Sequence, residues 1–387
     1  MNRPSYRRTT GILCVAVMVV ILVAGLWPFH SPKNDVTWLA GENGLRFGVH
    51  GIALGSGVFE AQGTNDGSSG SLEIWLEPAR SKSRRTILAF ADSGPTPASF
   101  MLQQSLRKLI LQRRNTDDQG QARTAELVIA GALAEQKRRF VTITLGPHTT
   151  SIYLDGLLAN KSEIQGRTTG AFAGRLVLGN SVTASDSWSG EVLGLAIYGQ
   201  EFTPARVLEN YQDWTKYHRP MPREDDKPRA LYLFSERDGS VSHNQLSSST
   251  DLSIPARYLV LQPEFLAVPW RHYHATWSYW GDAGLNIVGF VPFGVFLAAY
   301  LSSVWSTAAA EVITVLLGFL TSLTIESLQA YLPTRDSGIN DLITNTLGTL
   351  LGVLLYRSTL FHNLMRQLFD TETRTSTRRG SEVGTPF

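Results

Sequence analysis

The sequence predicts a chain of mixed class: an all-β sandwich joined to an α-helical membrane bundle of four transmembrane helices. Three observations predict it. Residues 9–32 contain no Lys, Arg, Asp or Glu, and residues 283–356 contain only Glu311, Glu326, Arg335, Asp336 and Asp341. Between these apolar ends, residues 33–282 carry ordinary charge, and from Leu45 to about Trp214 apolar side chains alternate with polar ones at period two, the signature of half-buried strands. This mosaic excludes a plain cytosolic enzyme and a fully polytopic carrier. The net charge of +2 over 387 residues, with no basic stripe interleaved with aromatics, argues against nucleic acid as a partner. The single cysteine, Cys14, excludes an internal disulfide and a cysteine metal site.

Taken in order, residues 1–10 form a cytoplasmic N-terminus in which Arg3, Arg7 and Arg8 precede the first apolar run. Residues 11–30 are transmembrane helix 1, long enough for ~30 Å of hydrocarbon. A cleaved signal peptide is the rival, but its core normally runs ~7–15 residues and ends in small residues. Here the run ends in Trp27-Pro28-Phe29, which suits an anchor at the interface. Residues 36–262 are the sandwich, 263–282 an interfacial connector, 283–356 the remaining three membrane helices, and 357–387 a cytoplasmic tail. Arg357, Arg366, Arg374, Arg378 and Arg379 place that tail inside by the positive-inside rule. Four crossings then put residues 33–282 outside the cytoplasm. Trp27, Trp270, Trp277, Tyr279, Trp280 and Trp305 form the expected aromatic belt.

Within the sandwich, Leu72, Ile74 and Leu76 alternate with Glu73, Trp75 and Glu77, and Val141, Ile143 and Leu145 alternate with Thr142 and Thr144. Gly146-Pro147-His148-Thr149 and Asp155-Gly156 are turn signals between strands. Further runs at 174–179 and 191–198 complete a sandwich or jelly roll. One helix is expected at 203–214, with Thr203 as N-cap and Pro204 in the first turn. Residues 217–228, rich in Pro and charge, read as a connector.

These residues carry a resemblance: Gly70-Ser-Leu-Glu-Ile-Trp-Leu-Glu-Pro78, Thr86-Ile-Leu-Ala-Phe-Ala-Asp92, Thr150-Ser-Ile-Tyr-Leu-Asp-Gly156, Arg175-Leu-Val-Leu-Gly179, and Trp188-Ser-Gly190 leading to Ile197-Tyr198. In this order they resemble the laminin G-like, concanavalin A-like lectin and glucanase jelly rolls. Residues 229–254 look like a further edge strand and loop of the same family. The resemblance implies a binding module for glycans or proteins, sometimes with a rim calcium. Asp92, Asn180 and Asp186 supply hard oxygens, but their spacing specifies no calcium site, and ordinary turn residues are the favoured reading. No other cofactor is expected. Glucanases need paired carboxylates in a cleft. Glu73 and Glu77 share a strand face, yet a charged outward position is usually just solvated.

The C-terminal run opens with Asn286-Ile-Val-Gly-Phe-Val-Pro-Phe-Gly294. It continues with Thr324-Ile-Glu-Ser-Leu-Gln-Ala-Tyr-Leu-Pro-Thr-Arg-Asp336 and Asp341-Leu-Ile-Thr-Asn-Thr-Leu-Gly348. This resembles the VanZ-like membrane family in three pieces and in order. One member of that family is associated with glycopeptide antibiotic resistance. Gly318, Ser322, Glu326 and Gln329 lie on one stripe of the third helix, and Asp341, Asn345, Gly348 and Gly352 on one stripe of the fourth. Gly348 and Gly352 form G-x-x-x-G, which permits close backbone approach, so the two stripes are expected to face each other. Pro292, with Gly289 and Gly294, is a candidate kink that opens a pocket.

Asn286, Glu326, Gln329, Arg335, Asp341 and Asn345 are thus expected to converge at outer-leaflet level, with Arg335 or Asn345 the partner of Glu326. A carboxylate at that depth is costly and points to function before structural glue. The leading expectation is a multi-pass protein of the cell inner membrane whose periplasmic sandwich binds an envelope glycan. Its membrane cluster would then meet a lipid headgroup or peptide. A membrane enzyme or proton-coupled carrier using Glu326 and Asp341 is the second reading, and an envelope anchor the third. No catalytic nucleophile, metal triad or phosphate loop supports the second.

Overall fold

The computed structural model describes residues 3–61, 69–91, 98–116, 121–163, 170, 172–183, 186–262, 265–266, 277–332, 335 and 337–358. The chain divides into two compact units. One comprises residues 1–30 with 264–387, and the other is the intervening Ser31–Pro263.

The first unit is helical. Helix α1 (Arg3–Leu26) belongs to it, and Tyr6–Leu26 is long and apolar enough to cross a membrane. In the intervening unit two eight-stranded antiparallel sheets form among the described residues. In chain order the strands are β1 (Val36–Trp38), β2 (Leu45–Phe47), β3 (Ala53–Phe59), β4 (Gly70–Pro78), β5 (Arg84–Ala91), β6 (Phe100–Ser105), β7 (Lys108–Thr116) and β8 (Ala122–Ile129). They continue with β9 (Arg139–Leu145), β10 (Thr149–Leu154), β11 (Leu157–Glu163), β12 (Gly174–Leu178) and β13 (Gly190–Tyr198). After α2 (Pro204–Tyr217) come β14 (Pro228–Tyr232), β15 (Val241–Ser242) and β16 (Leu252–Ser253).

One sheet runs β1-β2-β13-β4-β9-β10-β11, with β14 also on β13, and the other β15-β16-β3-β12-β5-β6-β7-β8. This interleaving of distant strands is the jelly-roll pattern of two stacked sheets. Alternate residues meet between the sheets: Leu72, Ile74 and Leu76 of β4 pack in one core with Leu88 and Phe90 of β5, Leu102 of β6 and Leu111 of β7. The Asp155-Gly156 turn is confirmed by positive φ at both residues, 51° and 81°.

Helix α2 starts where Thr203 accepts the Arg206 N–H, 3.3 Å, with Pro204 in its first turn. It lies on the outer face of the first sheet, where Trp214, Val207 and Phe202 pack on Phe140, Tyr153, Ala196 and Tyr198. A Cβ at Gly194 would meet the Trp214 ring at 2.3 Å, so this glycine leaves the room that the rim of the indole occupies.

The sandwich closes on itself. Asn34 donates to Ile52 O and Pro255 O, both 2.8 Å, and accepts the Ile52 N–H at 2.9 Å. Tyr258 N–H reaches Pro32 O at 3.0 Å. Its first and last residues are therefore side by side.

The remaining helices are α3 (Trp277–Leu301), α4 (Thr307–Gln329) and α5 (Ile339–Arg357). Trp280–Leu301 and Thr307–Gln329 also have the length and apolarity to span a membrane, which with α1 makes three candidate spans among the described residues. The expected fourth run folds as α5, but it does not reach that threshold by composition. Helix α3 runs unbroken through Pro292. Trp27, Trp280 and Trp305 are exposed, as interface anchors should be, whereas Trp270 falls outside the described residues.

Candidate functional site

The helical unit is built around glycines. A Cβ at Gly348 would stand 2.3 Å from Ile287 O, one at Gly352 2.3 Å from Val291 O, and one at Gly294 2.2 Å from Thr349 O. Helices α3 and α5 therefore touch backbone to backbone, as small residues allow. A Cβ at Gly318 of α4 would instead meet the Thr349 side chain at 2.4 Å. The expected facing of the two stripes is thus divided. The glycines of α5 meet α3, and Asn345 with Thr349 meets α4.

At that α4–α5 seam, Asn345 Nδ2 donates to Ser322 Oγ at 3.0 Å, with both residues buried. One turn along α4, Glu326 is 1% exposed, and its Oε2 accepts the Gly338 N–H at 2.8 Å. Gly338 is the N-cap of α5, so the carboxylate closes the start of that helix from outside. The Ser337 hydroxyl also hydrogen-bonds Glu326, and Asp341 in the first turn of α5 lies close enough to interact electrostatically with it.

Arg335 and Gln329 turn to α1. Arg335 donates to Trp27 O at 2.9 and 2.5 Å and to Ala24 O at 3.2 Å, and Gln329 Nε2 donates to Gly25 O at 2.8 Å. Both satisfy carbonyls at the end of a helix, where a cation also suits the dipole. The expected partnership of Glu326 with Arg335 or Asn345 is accordingly replaced by Gly338 and Ser337, because Arg335 is claimed by the open end of α1. Asn286 is half-buried on α3, and its side chain makes no hydrogen bond among the described residues. Gly289 has open space about it, and Asp336 lies outside the described residues.

Two acceptors in this cluster, Gln329 Oε1 and Asn345 Oδ1, are buried without a donor. A buried acceptor left unpaired costs roughly 1–3 kcal/mol. With Glu326, the Asn345 acceptor makes the α4–α5 seam rich in acceptors, suited to a ligand that donates hydrogen bonds, while Gln329 faces α1.

In the sandwich, Glu73 overturns its expected solvated position. It is fully buried beneath α2, accepting from Asn210 Nδ2 at 2.8 Å, Trp214 Nε1 at 3.0 Å and Tyr198 Oη at 3.2 Å. Burial pushes its carboxyl up to about 7 despite those three donors and the nearby Arg206. Glu77, on the same face, pairs with Arg138 at 3.2 Å. Glu73 is an anchor for α2, and the two carboxylates do not line an open cleft.

Asn180 Nδ2 donates to Tyr258 Oη at 2.5 Å, and its Oδ1 accepts the Ser181 N–H at 2.8 Å. Asp92 lies outside the described residues, and among those described no group of three His, Cys, Asp or Glu could hold a metal ion. Sequence reasoning missed Arg113. Its position continues the inward parity of Leu109 and Leu111 on β7, so the guanidinium points between the sheets, 3% exposed, and reaches Thr150 Oγ1 at 2.5 Å. Burial pushes it down to about 10.

Two family models match the chain. The VanZ/LLP1 model covers residues 230–362, and a concanavalin A-like lectin/glucanases superfamily model covers residues 54–208. The chain combines a VanZ-like domain with a concanavalin A-like lectin domain. The VanZ-like match begins inside β14, so it takes in the closing strands of the sandwich as well as α3, α4 and α5. With its apolar helices, the VanZ-like part makes this a membrane protein.

No curated protein matches the chain. Similar solved structures include the botulinum neurotoxin serotype G binding domain, at 12% identity, 49% coverage of this chain and 47% of that one, TM-score 0.35. A putative carbohydrate binding protein from Bacteroides ovatus matches at 12% identity with 58% of each chain covered, TM-score 0.37. A heptameric SAP-like pentraxin from Limulus polyphemus matches at 13% identity, 47% of this chain and 79% of that one, TM-score 0.33. The chain spans about half the length of the first of these solved chains. At such scores the likenesses carry no argument about function.

Proposed function

We propose that this is an inner-membrane protein whose lectin-like sandwich stands outside the cytoplasm and binds an envelope glycan. Its α4–α5 seam then receives a hydrogen-bond-donating headgroup or peptide at the outer leaflet. The observation that carries the reading is the buried, unpaired Oδ1 of Asn345, whose Nδ2 is tied to Ser322 one turn before the buried Glu326 on α4. Sugar hydroxyls and amines are donors of the kind this acceptor lacks. The superfamily of the sandwich, which includes lectins, supports the glycan half of the reading.

Four crossings fit this reading. Helix α5 has 19 residues, about 28 Å at 1.5 Å per residue, against ~30 Å of hydrocarbon. Its modest apolarity is explained by its neighbours. The residues it presents to α3 and α4 are Gly348, Gly352, Asn345 and Thr349, which never meet lipid. A change in glycopeptide antibiotic tolerance is the cellular phenotype this arrangement supports.

The test uses the full chain in lipid nanodiscs, titrated with soluble peptidoglycan fragments and with unrelated neutral oligosaccharides. Saturable binding of one envelope glycan class is the expected result. Absence of binding to every glycan tried, with the sandwich folded, rejects the reading.

A further inference from the structure

A second site lies in the helical unit, at the N-terminal end of α1, and it rests on nothing proposed above. A cleft of about 1320 Å³ opens there between α1, the end of α3 and the end of α5. Arg7 and Arg8 line it, and no Asp or Glu does. Arg7 stands over the Tyr300 ring, 5.8 Å from its centroid, and neither arginine makes an ion pair among the described residues. The Ser302 Oγ in the same wall is buried and unpaired.

Below this polar mouth the wall turns apolar. Ile12 and Val15 are 60% and 61% exposed, and Val15 lies about 12 Å along the helix from Arg7. A free phosphate ion would fill a small fraction of such a cleft, which exceeds the size of most drug-sized pockets. An anionic group joined to an apolar chain matches both of its ends.

We infer that this cleft holds an anionic phospholipid, its phosphate against Arg7 and Arg8 and a hydroxyl of its headgroup on Ser302, with an acyl chain along Ile12 and Val15. Each arginine at an anionic lipid surface contributes a few-fold in affinity, so the two together give roughly thirtyfold.

The test is native mass spectrometry of the full chain released from neutral detergent, with added phosphatidylglycerol or phosphatidylcholine. Phosphatidylglycerol should stay bound through release and phosphatidylcholine should not. Arg7→Gln with Arg8→Gln should lower phosphatidylglycerol retention by roughly tenfold or more. Because that pair also bears on insertion, Ser303→Glu is the second variant. Ser303 is an exposed residue of the cleft wall, and a carboxylate there should expel the lipid while leaving the arginines in place. Equal retention of the two lipids overturns the inference, as does unchanged retention in either variant. Displacement of phosphatidylglycerol by millimolar inorganic phosphate would assign the arginines to free phosphate and overturn it too.

Discussion

The Glu326 carboxylate of α4 accepts the Gly338 backbone N–H at the start of α5, 2.8 Å away. One side chain thereby fixes the junction of two helices, one turn along α4 from Ser322, which holds Asn345. A helix start needs several N–H groups satisfied, and Glu326 accepts from one of them, reaching across from a neighbouring helix.

The α3–α5 seam should be intolerant of any side chain at Gly348. A Cβ there would stand 2.3 Å from Ile287 O, and a backbone carbonyl cannot yield as a flexible side chain can. Gly348→Val should lower stability by roughly 1–3 kcal/mol or more. Gly289→Ala, in open space on α3, should be near neutral. Thermal melts of the two variants in detergent make the comparison, and equal melts would disprove the close crossing.

Glu73 should make the sandwich lose stability as pH rises. Its carboxyl titrates near 7 in the fold against an ordinary value of 4.5, so the folded state holds a proton that the unfolded state has released. The stabilisation from Glu73 is full below about 4.5 and is lost as pH rises through about 7, an effect of at most roughly 3 kcal/mol. Glu73→Gln should remove that slope. Its amide can donate to Asn210 Oδ1, which is buried and unpaired, once that side chain turns over. Glu73→Ala should instead weaken the fold at every pH. Denaturant melts between pH 4.5 and 8 report the slope, and a slope unchanged in Glu73→Gln would count against this origin.

The sandwich was readable in sequence because apolar and polar side chains alternate along its strands, as Val141, Ile143 and Leu145 do with Thr142 and Thr144 of β9, although the fold buries both faces of that strand. The membrane runs were readable because the absence of charge over a helix length has few other meanings. Partnerships were less readable. Arg335 reaching α1 and Gln329 reaching Gly25 join residues about three hundred positions apart, and no periodicity encodes that. Glu73 sits at an outward position of β4, and only the return of α2 over that face buries it. The partner of Glu326 is a backbone N–H in a loop, a group every residue but proline possesses and no motif reveals.

The topology is expected to place residues 33–282 outside. A cysteine at Ser248, in a Cys14→Ser background, should react with a membrane-impermeant maleimide while the inner membrane is intact. Reaction only after that membrane is permeabilised would mean the four-crossing arrangement is wrong.

The central claim is that Glu326 serves a ligand as well as the helix junction, and one comparison tests it most directly. Glu326→Gln keeps size and an acceptor for Gly338 while removing the carboxylate, whereas Glu326→Leu removes both. Affinity for the headgroup or peptide ligand of the seam, or glycopeptide tolerance in cells, is measured alongside abundance and melting temperature for each. Glu326→Gln should lose at least roughly tenfold in affinity, the worth of one charge-assisted hydrogen bond, with abundance and melting unchanged. Wild-type affinity in Glu326→Gln, with Glu326→Leu acting only through lower abundance, would contradict it and leave Glu326 as a packing contact between α4 and α5.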